Sequence, residues 1–219
     1  MCGRFVFAMR QPVIVQEDYG VDIGDAFAPR YNLAPGQELP TLELQDKSGL
    51  AFVRSEWGLV PAWAEKKEQP SAHINARIET AATKPSFRQA WQQRRCLVLA
   101  EGYYEWPARS TAGRSQGREP YLLSMADNRP FVMAGILDGS KTKAKPGCAI
   151  LTTAAGSDIA WLHPRMPIIM NPRSAMDWLQ GGGPVGMSTK LITTQVSSYV
   201  NNVAHEGPRC IEGMPGLFA

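Results

Sequence analysis

Cys2 has the richest chemistry available to any residue in this chain. The sequence opens Met1-Cys2-Gly3-Arg4-Phe5, and an initiator methionine is normally removed when the next residue is small. Cysteine qualifies, so the mature chain is expected to begin at Cys2. An α-amine with an ordinary pKa of about 7.7–8.0 then shares one residue with a thiol of about 8.5. The amine condenses with an aldehyde to an imine, and the thiol closes a five-membered thiazolidine on the same carbon. That closure is intramolecular and gains the effective molarity of tethered reactants. An internal cysteine or lysine lacks this pairing. The plainer alternative is a small residue that happens to lie near a chain end.

Three further segments set polar groups in apolar frames. The first is Ile74-Asn75-Ala76-Arg77-Ile78-Glu79. The second is Glu101-Gly102-Tyr103-Tyr104-Glu105-Trp106, where partial burial between Tyr104 and Trp106 would raise the Glu105 pKa toward a general-acid role. The third is His163-Pro164-Arg165-Met166-Pro167, a titratable ring beside a cation. A solvated strand-end carboxylate and a surface-turn histidine are the competing readings. The four cysteines, Cys2, Cys96, Cys148 and Cys210, form no CxxC pair and no short spacing with histidine. Zinc is therefore not expected, and neither is any other metal or organic cofactor. Cys96 and Cys148 lie in or beside apolar runs and read as small core residues.

The elements that must position these groups are mostly strands. Apolar runs recur at Arg4–Phe7, Ala51–Val53, Cys96–Ala100, Tyr121–Met125, Phe131–Leu137, Cys148–Thr153, Pro167–Met170 and Lys190–Val196. Turn-forming residues bound each of them. Helices are expected at Ser86–Arg95, from an Asn171 cap and Pro172 to the Gly181-Gly182-Gly183 stop, and from Ser157-Asp158 with Ile159, Trp161 and Leu162 facing inward. Long helices do not alternate with strands, which disfavours a doubly wound parallel sheet. At 219 residues, one domain spanning 1–219 is expected, with loops near 107–119 and 181–188. The net charge of +3 permits a local basic cleft without demanding one. No apolar run reaches the roughly 18–20 residues of a membrane span. No secretory leader is visible, so a cytoplasmic protein is the default.

Taken in order, several motifs match a known family. They are Met1-Cys2-Gly3-Arg4-Phe5, Tyr31-Asn32-Leu33-Ala34-Pro35-Gly36, Trp57-Gly58-Leu59-Val60-Pro61-Ala62-Trp63 and Ile74-Asn75-Ala76-Arg77-Ile78-Glu79-Thr80. Lys84-Pro85-Ser86-Phe87, Arg95-Cys96-Leu97, Gly102-Tyr103-Tyr104-Glu105-Trp106 and His163-Pro164-Arg165-Met166-Pro167 complete the set. The chain resembles the SOS response-associated peptidase (SRAP) family of abasic-site sensors over nearly its whole length. Ile78, where the family often has Ala, and the Arg-rich 107–119 segment are the main departures.

The resemblance implies an α+β fold with an antiparallel, partly barrel-like β-core and a few flanking helices. It implies capture of the abasic-site aldehyde in single-stranded DNA by Cys2. Glu105 would serve as acid/base, Asn75 would hold the Cys2 end or the sugar, and His163 would transfer protons. Thr152 is a weaker candidate for the same pocket. Arg4, Arg77 and Arg165 lie within one or two positions of these groups and suit phosphate oxygens. Trp57, Pro61 and Trp63 would stack on bases or wedge a strand junction, with core packing as the alternative. No base-edge reader is evident, so binding should be lesion-specific and largely independent of sequence.

A lyase side activity and self-removal of Met1 fit the same chemistry, and the latter would explain the peptidase label. Replication-fork proteins are conceivable partners, a monomer is expected, and a bacterial form would be nucleoid-associated. Two other classes compete: an N-terminal-nucleophile hydrolase such as a glutamine amidotransferase, and a non-catalytic single-stranded DNA-binding module.

Overall fold

The computed structural model describes residues 2–45, 49–64, 71–107, 119–139, 144–187 and 191–213. Along the chain run β1 (Phe5–Phe7), α1 (Pro12–Tyr19), β2 (Arg30–Leu33), β3 (Glu38–Gln45), β4 (Gly49–Trp57), β5 (Asn75–Arg77), α2 (Ile78–Ala81) and α3 (Arg88–Gln93). There follow β6 (Arg95–Ala100), β7 (Gly102–Glu105), β8 (Tyr121–Ser124), β9 (Phe131–Leu137), β10 (Gly147–Ala154), β11 (Arg165–Pro167), β12 (Ile169–Met170), α4 (Pro172–Leu179) and β13 (Ile192–Gln195). The fold is α+β and strand-dominated, as the turn-bounded apolar runs require.

Two sheets share one core. In the larger, β9 pairs with β6, β6 with β3, β3 with β4, β4 with β10, and β10 returns to β9, so the pairings close in a ring. Most pairings are antiparallel as expected, but β10 runs parallel to both β4 and β5. Apolar residues fill the ring interior, and the Cys96 and Cys148 sulfurs meet there 3.8 Å apart. The smaller sheet has the order β13-β8-β7-β1-β2. Its strands alternate cleanly. Phe5, Phe7, Tyr103 and Leu123 join the main core, while Val6, Ala8, Tyr104 and Leu122 face a second cluster with Val196, Val200 and Cys210.

The helices follow local chemistry. The Asn171 side-chain oxygen accepts the Ser174 amide at 2.9 Å, capping α4, and Pro172 occupies its first turn. α4 ends before Gly181, whose φ of +110° lies where side chains are disfavoured. α3 is shorter than the Ser86–Arg95 pattern suggests. The expected third helix does not form: residues 157–162 make successive turns instead. Gly156 precedes that stretch, and Pro164 keeps His163 out of helical conformation. Ile159 and Leu162 are buried as expected, but Trp161 points outward and is 56% exposed. The expected strand over Pro167–Met170 is split between β11 and β12. Of the expected loops, residues 108–118 and 188 lie outside the described residues, as do Met1 and Lys190. No helix among the described residues is long and apolar enough to cross a membrane.

Candidate functional site

The site forms where the N-terminal segment crosses from the smaller sheet to the end of the ring. Phe5 pairs with Tyr103 across β1 and β7. This register carries the residues just before Phe5 toward Glu105 at the far end of β7. From the other side, β10 changes partners along its length. Its first half belongs to the ring, and its second half lies between β5 and β11. That exchange brings Asn75, Thr152 and Arg165 into one neighbourhood. Asn75 Nδ2 donates to the Cys2 carbonyl at 2.8 Å, linking the two halves. The Asn75 Oδ1 is buried without a hydrogen-bond partner.

Burial dominates the electrostatics. Cys2 is fully buried, and burial pushes its thiol well above the ordinary range, with the neighbouring Glu105 charge adding to the rise. Burial also raises the Glu105 carboxyl, against the opposing pull of positive charge, including that of His163. Burial therefore disfavours the charged form of both groups. The His163 ring is held by the backbone of Arg165. Its Nδ1 lies 3.0 Å from both the Arg165 amide nitrogen and the Arg165 carbonyl oxygen. A bare Nδ1 accepts from the amide and an Nδ1–H donates to the carbonyl, so either tautomer keeps a backbone partner in this pose.

The remaining expected site residues divide. Arg77 is exposed beside the site. The Arg165 guanidinium is held by both Glu79 oxygens at 2.5 and 2.9 Å and by the Thr152 carbonyl at 2.6 Å. Hydrogen bonding to Arg165 holds the Glu79 carboxyl below its ordinary pKa. The Thr152 hydroxyl faces the Ala76 carbonyl and Arg165, at 3.5 and 3.4 Å. Its contacts brace Arg165 and β5.

Arg4 is placed differently from the sequence-based expectation. Strand alternation directs it to the sheet face opposite Glu105. There its Nη1 donates to Asn32 Oδ1 at 2.6 Å and to the Val200 carbonyl at 2.9 Å, with the guanidinium over Trp106. It fastens the C-terminal segment to the sheet. Trp57 does not meet DNA but takes the core-packing alternative: it is buried against Phe5, and its indole N–H donates to the Ile74 carbonyl at 2.9 Å. A ring so enclosed cannot stack on a base. Pro61 is also buried, whereas Trp63 is 57% exposed.

Two further residues have contacts that only the fold reveals. Asn32 lies within a quoted motif, but only the fold reveals its amide donating to the Val200, Asn202 and His205 carbonyls. Tyr121 neighbours Glu105 through strand pairing alone. Among the described residues, no three His, Cys, Asp or Glu side chains gather as a metal-holding group.

The family described as SOS response associated peptidase (SRAP) matches residues 1–203. The abasic site processing protein YedK of Escherichia coli is 32% identical over 97% of this chain and 99% of its own. The abasic site processing protein YoqW of Bacillus subtilis is 30% identical with the same coverage of both chains. A crystal structure of a Bacteroides thetaiotaomicron protein superposes with a TM-score of 0.76 at 19% identity, covering 98% of this chain and 100% of that one. At that identity the likeness speaks for the fold.

Proposed function

This chain belongs to the SOS response associated peptidase family, and on that premise we propose that it captures abasic sites in single-stranded DNA through Cys2 once Met1 is removed. The Cys2 amine adds to the C1′ aldehyde of the ring-opened sugar, and water leaves as the C=N bond forms. The thiol sulfur then adds to the imine carbon while its proton passes to nitrogen. One water is lost overall, and a thiazolidine joins protein to DNA. Glu105, whose carboxyl is pushed up by burial, donates to the departing hydroxyl. His163 takes up and returns protons. Arg77 meets backbone phosphate, and Arg165 does so when phosphate competes with Glu79.

The observation that carries this reading is the Asn75 hydrogen bond to the Cys2 carbonyl. It immobilises the one residue whose two nucleophiles must reach a single carbon. The names of the related proteins support the choice of an abasic site as the aldehyde.

Intact-protein mass spectrometry with an oligonucleotide carrying one abasic site tests the proposal. The protein should lack the mass of Met1 and form a heat-stable species at protein plus DNA minus one water. Cys2→Ala should abolish that species. A protein without Met1 that gives no adduct, or an adduct that survives Cys2→Ala, overturns the proposal.

A further inference from the structure

Trp161 is a large exposed aromatic ring that the capture chemistry leaves unused. Isolated exposed apolar residues are ordinary, but this one is held in place twice. Its indole N–H donates to the Asp158 carbonyl at 3.1 Å. Its ring meets Tyr121 edge to face, with centroids 5.3 Å apart and an interplanar angle of 89°. An aromatic fixed in this way loses little freedom when a flat partner settles on it.

Its address is specific. Tyr121 is the cross-strand partner of Glu105, so both side chains leave the same face of the smaller sheet. Trp161 also precedes His163 by two residues, in the turns that lie between Gly156 and Pro164. The aromatic pair therefore flanks Glu105 and His163, while Arg77 and Arg165 flank the pocket from β5 and β11. A single strand running over Cys2 would have these cations and an exposed aromatic face to meet.

We propose that Trp161, backed by Tyr121, is a stacking platform for the nucleobase immediately beside the abasic site. This rests on the reading of Cys2 as the capture residue. Stacking suits the partner because every base presents a π-face, so the platform grips the neighbouring nucleotide without reading sequence. It would hold the strand in register while the empty position faces Cys2.

The test is equilibrium binding to a fluorescent single strand carrying a central tetrahydrofuran, an abasic analogue with no aldehyde. Companion strands remove the base 5′ or 3′ of it with a second tetrahydrofuran. The parent should bind about five- to tenfold more weakly when one particular flanking base is absent, and nearly unchanged when the other is. Trp161→Ala should lose a similar factor and no longer sense that base. Trp161→Phe should recover most of the affinity, which separates stacking from misfolding. A parent indifferent to both flanking bases, or a Trp161→Ala that keeps the preference, overturns the platform. No covalent bond forms with tetrahydrofuran, so failure of Cys2 capture on a true abasic site is a distinguishable result.

Discussion

At the scale of single residues, Glu105 connects stability to reactivity. Its carboxyl is buried and held above the ordinary carboxylate range of about 4.3. Between that ordinary value and its raised folded value, the folded chain binds a proton that the unfolded chain has released. The stabilisation is full below the unfolded pKa and is lost as pH rises through the folded one. Glu105→Gln is neutral at every pH and similar in shape. It is expected to melt higher than the parent at neutral pH, with the difference vanishing below about pH 4. Adduct formation should slow by about 10²–10⁴ in the same variant, as for loss of a general acid. Thermal melts between pH 4 and 8, paired with adduct time courses, check both. A melting difference constant across that range would mean that the carboxylate is not strained by burial.

At the scale of elements, legibility followed hydrophobic contrast. Phe131–Leu137 and Cys96–Ala100 stand out because both are buried along their whole length, and β9 and β6 occupy those runs with little change. β3 was not visible: Pro40 and Glu43 interrupt its apolar residues, although it pairs with β4 throughout. β5 has three residues and is held by β10, a partner distant in sequence. α1 offers no side-chain cap to announce its start. Cys2, Asn75, Glu105 and His163, the groups of the proposed site, are picked out in the sequence by the motifs that carry the family resemblance. The burial of Trp57, the tethering of Arg4 and the outward turn of Trp161 depend on strand alternation and distant partners. β10 is where an element-scale error would reach the site. A Cβ on Gly147 at its start would fall 2.5 Å from the Gly58 carbonyl oxygen and 2.4 Å from an Asp138 oxygen. Gly147→Ala is expected to destabilise the protein by about 1–3 kcal/mol, as overpacking does. Urea denaturation should reveal a lowered midpoint with unchanged slope, and a midpoint within error of the parent would refute the close approach.

At the scale of the whole molecule, a net charge of only +3 provides little long-range attraction for a polyanion. Binding must therefore rest on a few local phosphate contacts, and their number can be counted by salt titration. Each phosphate contact to a single strand contributes about −0.7 to the slope of log affinity against log salt concentration. Arg77 is exposed, and under the proposed function it makes one such contact, so Arg77→Ala should flatten the slope by about 0.7. Arg165 starts from the opposite condition, since Glu79 already grips its guanidinium and phosphate must displace a carboxylate. Glu79→Gln removes that competitor and one negative charge from the same surface. It is expected to strengthen single-strand binding and steepen the slope, with the gain greatest at low salt. Binding isotherms on the tetrahydrofuran strand from low to physiological salt measure both variants without interference from the covalent step. If Glu79→Gln weakens binding instead, the ion pair serves to position Arg165 rather than to restrain it, and phosphate must be met by Arg77 and other surface cations.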